Sequence, residues 1–429
     1  MRNHKIAAAV ALAIGGISAA HANPTGAQCG APNNGLFVAG SSAAQNAFAN
    51  ALAVDLFGGA ANENTYAGTN GNFKAYCGFA AAGNTAGIPA GNIVTVHYRA
   101  EGGSVVGALP IVSGKPIKFL NLATAACQVA APVVNGTSAT VGTTDGWTGC
   151  VTSHAVEMGI TDLEPTAFVG DNYPTAYSTA VFGTANASQL AGLTSTPLFQ
   201  QVFGIYVNTA FNGGVALNLS RETVAAILEG NYSDWSAVPS ASGGQVSAGS
   251  VPITLVNREA GSGTRTGASI YFLGDECAKT AGTLSDPTPA TDGYATGDVL
   301  TTAAATSGAI TYASIDNSKA GLTIAQLSGV TASNLAATSG QYDWWFEATA
   351  QKGNITSPGG LGLYNWLVGG ELANVATAPH TAQINAIPGV GTNAAAVPAT
   401  ANTLGGKTIY INPFSKNGNS CNIPVPQNF

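Results

Sequence analysis

The chain has 429 residues, 45% of them apolar and only 8% charged, which excludes disorder and allows a sizeable core, with two domains expected from length. Its 14 basic residues against 21 acidic ones give a formal net charge of −7, with no run of Lys and Arg. That balance argues against nucleic acid or an anionic membrane surface as partner.

The first residues read as an address. Arg2, His4 and Lys5 precede the apolar stretch from Ile6 to Ile17, and Ala20-His21-Ala22 follows as a small-x-small site. This predicts a secretory signal peptide over residues 1–22, hence an exported protein, periplasmic or extracellular. Its removal leaves 12 basic and 21 acidic residues, a net charge near −9. No later apolar run approaches the ~18 residues of a membrane span. Six cysteines follow the leader: Cys29, Cys77, Cys127, Cys150, Cys277 and Cys421. In an exported chain they imply three disulfides, and pairing of neighbours (Cys29–Cys77, Cys127–Cys150, Cys277–Cys421) is the simplest of the possible connectivities. The three histidines beyond the leader, His97, His154 and His380, stand far apart and in no ligand-spaced motif, so neither a catalytic metal nor a cofactor is expected.

Along the chain, apolar β-type runs alternate with helical patterns, which predicts an α/β fold with mainly parallel strands. Leu36 to Ala39 reads as a strand, and Ala44, Phe48, Leu52 and Leu56 then mark one face of a helix. Ile93 to Tyr98 is a second strand. Residues 105–161 are loop-rich and read as an insertion carrying Cys127 and Cys150. Phe203 to Asn208 is a further strand, followed by a helix over Leu219 to Leu228 with Ser220 as its N-cap. Ile253 to Val256 and Gly308 to Ala313 complete the set, and the stretch from about residue 353 is again irregular.

Three of these strands run into similar turns: Gly40-Ser41-Ser42, Gly102-Gly103-Ser104 and Gly261-Ser262-Gly263-Thr264. A single glycine-rich turn is ordinary punctuation between elements. Three of them suggest helix N-termini converging on one anion, with unpaired N–H groups, hydroxyl donors and the planar fork of Arg258. Asp162, in Gly159-Ile160-Thr161-Asp162, is either a turn residue or a reader of protons. Monohydrogen phosphate can donate its O–H to an ionised carboxylate, whereas sulfate cannot, so an Asp in an anion pocket favours protonated oxyanions.

These segments, in this order, resemble the phosphate-binding receptor of the high-affinity phosphate ABC transporter, a type 2 periplasmic binding protein. Val38 to Ser42 is similar to the family's first loop, with Ser42 at the hydroxyl position. His97 to Ser104 is similar to its second, with Gly103 or Ser104 at the ligand serine. Thr161-Asp162 stands for its Ser-Asp turn, and Arg258, Gly261, Ser262, Gly263 and Thr264 reproduce its Arg-x-x-Gly-Ser-Gly-Thr segment. The helix from Leu219 to Leu228 with Gly230 to Trp235, and the strand Gly308 to Tyr312, also resemble family segments. The resemblance implies a two-domain α/β fold with a ligand cleft between domains. Residues 23–204 and 317–429 would form the first domain and 205–316 the second. It further implies a solute-binding protein, not an enzyme, whose ligand is phosphate or a similar oxyanion and whose partner is an ABC transporter permease. Two other readings compete. The neutral Thr/Ser/Asn/Gly-rich composition suits an extracellular adhesion or matrix protein on the same scaffold. A secreted phosphatase is the other, although no G-x-S-x-G turn is present.

Overall fold

The computed structural model describes residues 23–84, 86–136, 145–174, 176–274, 290–368, 402–404, 407–409 and 414–426. The expected leader, Cys277 and His380 lie outside them. Eleven strands make one sheet: β1 (Asn34–Gly40), β2 (Glu63–Ala67), β3 (Phe73–Phe79), β4 (Ile93–Arg99), β5 (Met158–Thr161), β6 (Ser195–Val207), β7 (Thr254–Arg258), β8 (Ala290–Gly293), β9 (Ala309–Ser314), β10 (Thr323–Ile324) and β11 (Trp345–Lys352). Their spatial order is β8-β7-β9-β6-β11-β5-β1-β4-β3-β2, with β10 beside the end of β6. The fold is α/β.

Two parallel groups flank an antiparallel centre. β5, β1 and β4 run parallel at one side, and β8, β7 and β9 at the other. Between them β6 pairs antiparallel with β11 through its first half and with β9 through its second. The sequence pattern predicts mainly parallel strands, and this centre departs from it. β6 starts at Ser195, eight residues before the Phe203 at which the sequence pattern begins it, and Gln200 and Gln201 are what hide that first half. Both glutamines are buried, and the Gln200 amide donates to the Phe414 carbonyl at 2.7 Å. A buried amide with a partner does not break a strand, but it hides one from a hydropathy reading.

The outer edge departs too, since β2, β3 and β4 pair antiparallel. At two helices the pattern and the fold agree. Ala44, Phe48, Leu52 and Leu56 lie on one buried face, none more than 1% exposed, along α1 (Gln45–Ala51) and the π turn Leu52–Leu56 that continues it. In α2 (Arg221–Leu228) the Ser220 side chain accepts from the Thr223 amide, as an N-cap should. Cys29–Cys77 and Cys127–Cys150 are both formed. The third expected pair involves Cys277 and so falls outside the described residues. Within 105–161, Ile117–Leu120 pairs with Val151–His154, while the last four residues are the core strand β5. The C-terminal segment is fastened by carboxylates. Glu347 accepts from the Ser415 hydroxyl and the Lys416 and Gly418 amides, and Glu164 accepts from the Ser420 amide and hydroxyl.

His97 on β4 stacks on Phe37 at 4.6 Å, and Phe37 stacks on His154 at 3.9 Å on its own account. Burial of His97, together with the nearby His154, pulls its imidazole down to about 3 from an ordinary 6.5. The folded value lies below the unfolded one, so His97 contributes stability that is present above pH 6.5 and lost as pH falls toward 3. Replacing it by glutamine, which cannot be protonated there, is expected to flatten the stability profile across that window. Urea unfolding of both proteins from pH 7 to pH 4 measures the difference.

Candidate functional site

The carboxyl ends of β1, β4, β5 and β7 supply the loops around one point, where the strand directions of an open α/β sheet favour a ligand crevice. Asp162, the residue after β5, is 2% exposed and occupies that point. The Ser41 hydroxyl, just beyond β1, donates to Asp162 Oδ1. The Thr264 hydroxyl donates to Oδ2 at 3.3 Å. The Asp162 amide in turn donates to Ser104 Oγ at 3.2 Å, which ties the loop after β4 to the same residue.

Backbone shape makes these meetings possible. Gly107 and Gly159 lie so close that a Cβ on Gly159 would meet the Gly107 carbonyl oxygen at 1.7 Å. Only glycines allow the turn Ser104–Gly107 to press onto β5 and bring Ser104 to Asp162. Gly103 has φ +71°, and a Cβ there would meet the Ser262 Cα at 2.9 Å. Val105 N–H donates to the Gly261 carbonyl, so the second and fourth loops touch directly. Ser262 caps α3 (Gly263–Ala268) by accepting from the Arg265 amide. Gly263 fits against Ser104 and Asp162, where a side chain would meet Ser104 Oγ at 2.5 Å.

Arg258, at the end of β7, is 1% exposed. Its Nε donates to the Gly293 carbonyl at 3.2 Å, Nη1 to Thr296 Oγ1 and Nη2 to the Tyr294 carbonyl, both at 3.3 Å. Burial pulls the guanidinium below its ordinary value, opposed by Glu259 and Asp162. Burial likewise pushes the Asp162 carboxyl up, opposed by the Ser41 hydrogen bond, the Arg258 charge and contacts with Ser104 and Thr264. The two charges lower each other's burial cost, and polar groups of the loops meet the rest.

Of the residues expected from sequence, Ser104, Asp162, Gly263 and Thr264 come together directly, with Gly103 and Ser262 backing them and Arg258 alongside. Ser42 stands one step away: its Oγ lies 2.9 Å from Thr296 Oγ1 and accepts from the Thr296 amide. Its neighbour Ser41 takes the place beside Asp162, a one-residue register that Gly40-Ser41-Ser42 cannot fix in sequence. Thr296 opens α4 (Thr296–Ala305) and is not expected from the sequence, because it lies 38 residues from Arg258 and the strand before it, Ala290–Gly293, has no apolar run. Tyr98 is also new to the site, its hydroxyl holding the Ser41 carbonyl at 2.7 Å. Among the described residues no cluster of three or more His, Cys, Asp or Glu could hold a metal, and no helix is long and apolar enough to cross a membrane.

With that geometry in view, residues 166–354 match the family model described as a PBP superfamily domain. The matched stretch includes Arg258, Ser262, Gly263, Thr264 and Thr296, while Ser41, Ser104 and Asp162 precede it. No curated protein matches the chain. Among solved structures, similar chains include one from Clostridium perfringens, assigned as a phosphate ABC transporter substrate-binding protein and holding bound phosphate. It is 13% identical, with 78% of this chain and 93% of that one covered and a TM-score of 0.45. An ABC-type phosphate transport receptor from Vibrio cholerae is 14% identical over 78% and 94%, with a TM-score of 0.39. A phosphate-binding protein from Stenotrophomonas maltophilia is 13% identical over 74% and 78%, also at 0.39.

The loop after β4 is held by a buried ion cluster. Arg99 donates to Glu101 Oε2 at 2.5 Å and to Asp145 Oδ2 at 2.5 Å, its guanidinium lying 4.8 Å and 5.0 Å from the rings of Phe73 and Phe182. Trp147 Nε1 donates to Glu101 as well. Removing one partner of such a cluster strands the others without water. Arg99→Ala is therefore expected to destabilise the fold by about 3–5 kcal/mol, read by chemical denaturation.

Proposed function

We propose that the chain is an exported solute-binding protein for phosphate or a similar protonated tetrahedral oxyanion, bound where the four loops meet and delivered to an ABC transporter permease. The observation that carries this reading is the buried carboxylate of Asp162 within a ring of hydroxyls and beside the buried Arg258. An ionised carboxylate lacks a proton to share, so an anion seated against it must bring one. Arg258 has five N–H groups, and further donors come from the loop backbones and from Ser104. An acidic chain can hold an anion this way because local dipoles and one guanidinium act at contact distance, where overall charge is screened.

We assign two lobes to the two parallel strand groups, one on residues 23–204 and the other from 205 onward. Pairing of Thr323–Ile324 with β6 and of Gln326–Leu327 with Asn218–Leu219 supports extending the second lobe beyond residue 316, to the start of β11. The ligand would then lie between lobes, with Ser41, Ser104 and Asp162 from one and Arg258 and Thr264 from the other. Binding rather than catalysis is supported by Ser262, whose Oγ caps α3 instead of facing a general base. No observation in the described structure favours the adhesion or phosphatase reading.

Calorimetric titration tests the assignment. Arg258→Ala removes the strong positive donor and is expected to weaken phosphate binding by about 2–5 kcal/mol. Affinity within threefold of the parent would discard the site. The parent protein should take phosphate and reject sulfate at neutral pH, since like charges at contact repel by roughly a few kcal/mol in a shielded cleft. Asp162→Asn should narrow that gap because an amide can donate to sulfate. Burial raises the Asp162 pKa, so lowering the pH protonates it from above its ordinary range and turns the carboxyl into a donor. Sulfate should consequently bind better in acid, and a flat sulfate response to pH in the parent would contradict the proton-reading role.

A further inference from the structure

A cavity of about 370 Å³, within the range of small-molecule sites, has Ser42 and Thr296 in its wall. The hydrogen bond between those two side chains closes it off from Asp162 and Arg258, neither of which lines it. An occupant would therefore be a second ligand, separate from any oxyanion. Gln45, the first residue of α1, lines the cavity and is 8% exposed, and its Nε2 has no partner among the described residues. Asn70, in the turn between β2 and β3, brings a second buried and unpartnered amide nitrogen, Nδ2. Lys74 on β3 adds a partly buried ammonium, whose pKa burial pulls down with no carboxylate to offset it. The same lining holds Asp298 of α4, whose Oδ2 accepts from the Ala295 amide at 3.0 Å. Burial pushes its carboxyl up, opposed by Arg258. Among the described residues neither Lys74 nor Asp298 forms an ion pair. One positive and one negative group have thus both lost water to this cavity without a counter-charge in contact.

The charges decide what fits. A plain carboxylate would be drawn to Lys74 and repelled by Asp298, and a plain amine the reverse. A neutral polyol would satisfy the amides and leave both charges unanswered. A zwitterion answers both. Two amide NH₂ groups beside an ammonium suit a carboxylate, which only accepts, while an ammonium only donates and suits Asp298. The rest of the lining is neutral and polar, with Asn46, Asn72 and Thr301, and favours a hydroxyl or amide side chain over an apolar one. We propose that a small polar α-amino acid binds in this cavity as its zwitterion, its carboxylate against Gln45, Asn70 and Lys74 and its ammonium on Asp298. The inference needs no oxyanion in the neighbouring site.

Calorimetry of the purified chain with L-serine, glycerate and ethanolamine tests it. Glycerate replaces the ammonium of serine by a hydroxyl, and ethanolamine lacks the carboxylate. L-serine is expected to bind at least about tenfold tighter than either, since a hydrogen bond to a charged group is worth about that factor. Lys74→Met should remove most of the advantage over ethanolamine. Asp298→Asn should remove most of the advantage over glycerate, while its amide oxygen still accepts from Ala295. Thermal melts of both variants without ligand should match the parent, which separates a lost contact from a lost fold; if either variant fails to fold, the ranking of the three probes on the parent decides. Serine affinity should stay within about twofold in excess phosphate. Serine binding no tighter than either analogue, or absent, would overturn the proposal. Displacement of serine by phosphate would overturn it as well, by placing serine in the oxyanion site.

Discussion

Taking the Asp162 carboxylate out of water costs several kcal/mol unless donors and a counter-charge replace the solvent. The surrounding structure supplies those replacements from distant parts of the chain. Ser41 is held by the hydrogen bond its N–H donates to the Ile160 carbonyl and by the one the Tyr98 hydroxyl donates to its own carbonyl, so β1, β4 and β5 fix one residue together. Ser104 arrives because two glycines let a helical turn touch β5. Thr264 arrives because Gly263 leaves room for α3 to meet the carboxylate. Removing any of these would leave a buried charge short of a partner, which is why the loops must all be right at once. The site is over-determined by packing rather than built from flexible side chains, and ordered donors lose little entropy when a ligand arrives.

The sheet's reversal at its centre puts the loops within reach of one another. A parallel group sends all its strand ends to one edge. Here two such groups are joined through β6 and β11, each running antiparallel to its neighbours, so loops from both groups reach the same crevice. β6 is shared between the groups along its length, making it the mechanical link. The C-terminal segment is fastened over this link through Glu347 of β11 and through the bond from Gln200 of β6 to Phe414. Stiffness at the join thus depends on buried polar contacts as much as on apolar packing.

Much of this was legible in the residues, and the rest was hidden for physical reasons. Strands β1, β4, β7 and β9 announce themselves as apolar runs, and α2 by its Ser220 cap. The fourth loop is legible because Gly261, Ser262 and Gly263 are each needed for shape. Asp162 could be weighed only through its chemistry, since an Asp after a strand is common. By contrast, β6 is masked at its start by two glutamines, and the hairpin of β2 and β3 by polar residues such as Glu63, Asn64 and Thr65 on its edge strand. Ser41 and Ser42 are interchangeable on paper; only the register of β1 against β5 decides which hydroxyl turns inward. Thr296 was invisible because its importance lies in a contact with Arg258, and long-range contacts leave no local signature.

The low charge content gains a physical meaning from the same geometry. A surface crowded with Lys and Arg would attract anions without choosing among them. This chain instead keeps Arg258 and Asp162 buried together, so that the positive charge is partly offset before any ligand arrives. On the proposed reading, an anion that brings a proton would complete the arrangement, donating to one side and accepting from the other. An anion that brings none meets the carboxylate unrelieved. On that reading, selectivity would come from a repulsion built into the site, and such a repulsion works only where water cannot enter to screen it. The tight glycine contacts bring the loops onto Asp162, which is 2% exposed, so the proposed discrimination would depend on the same residues as the packing.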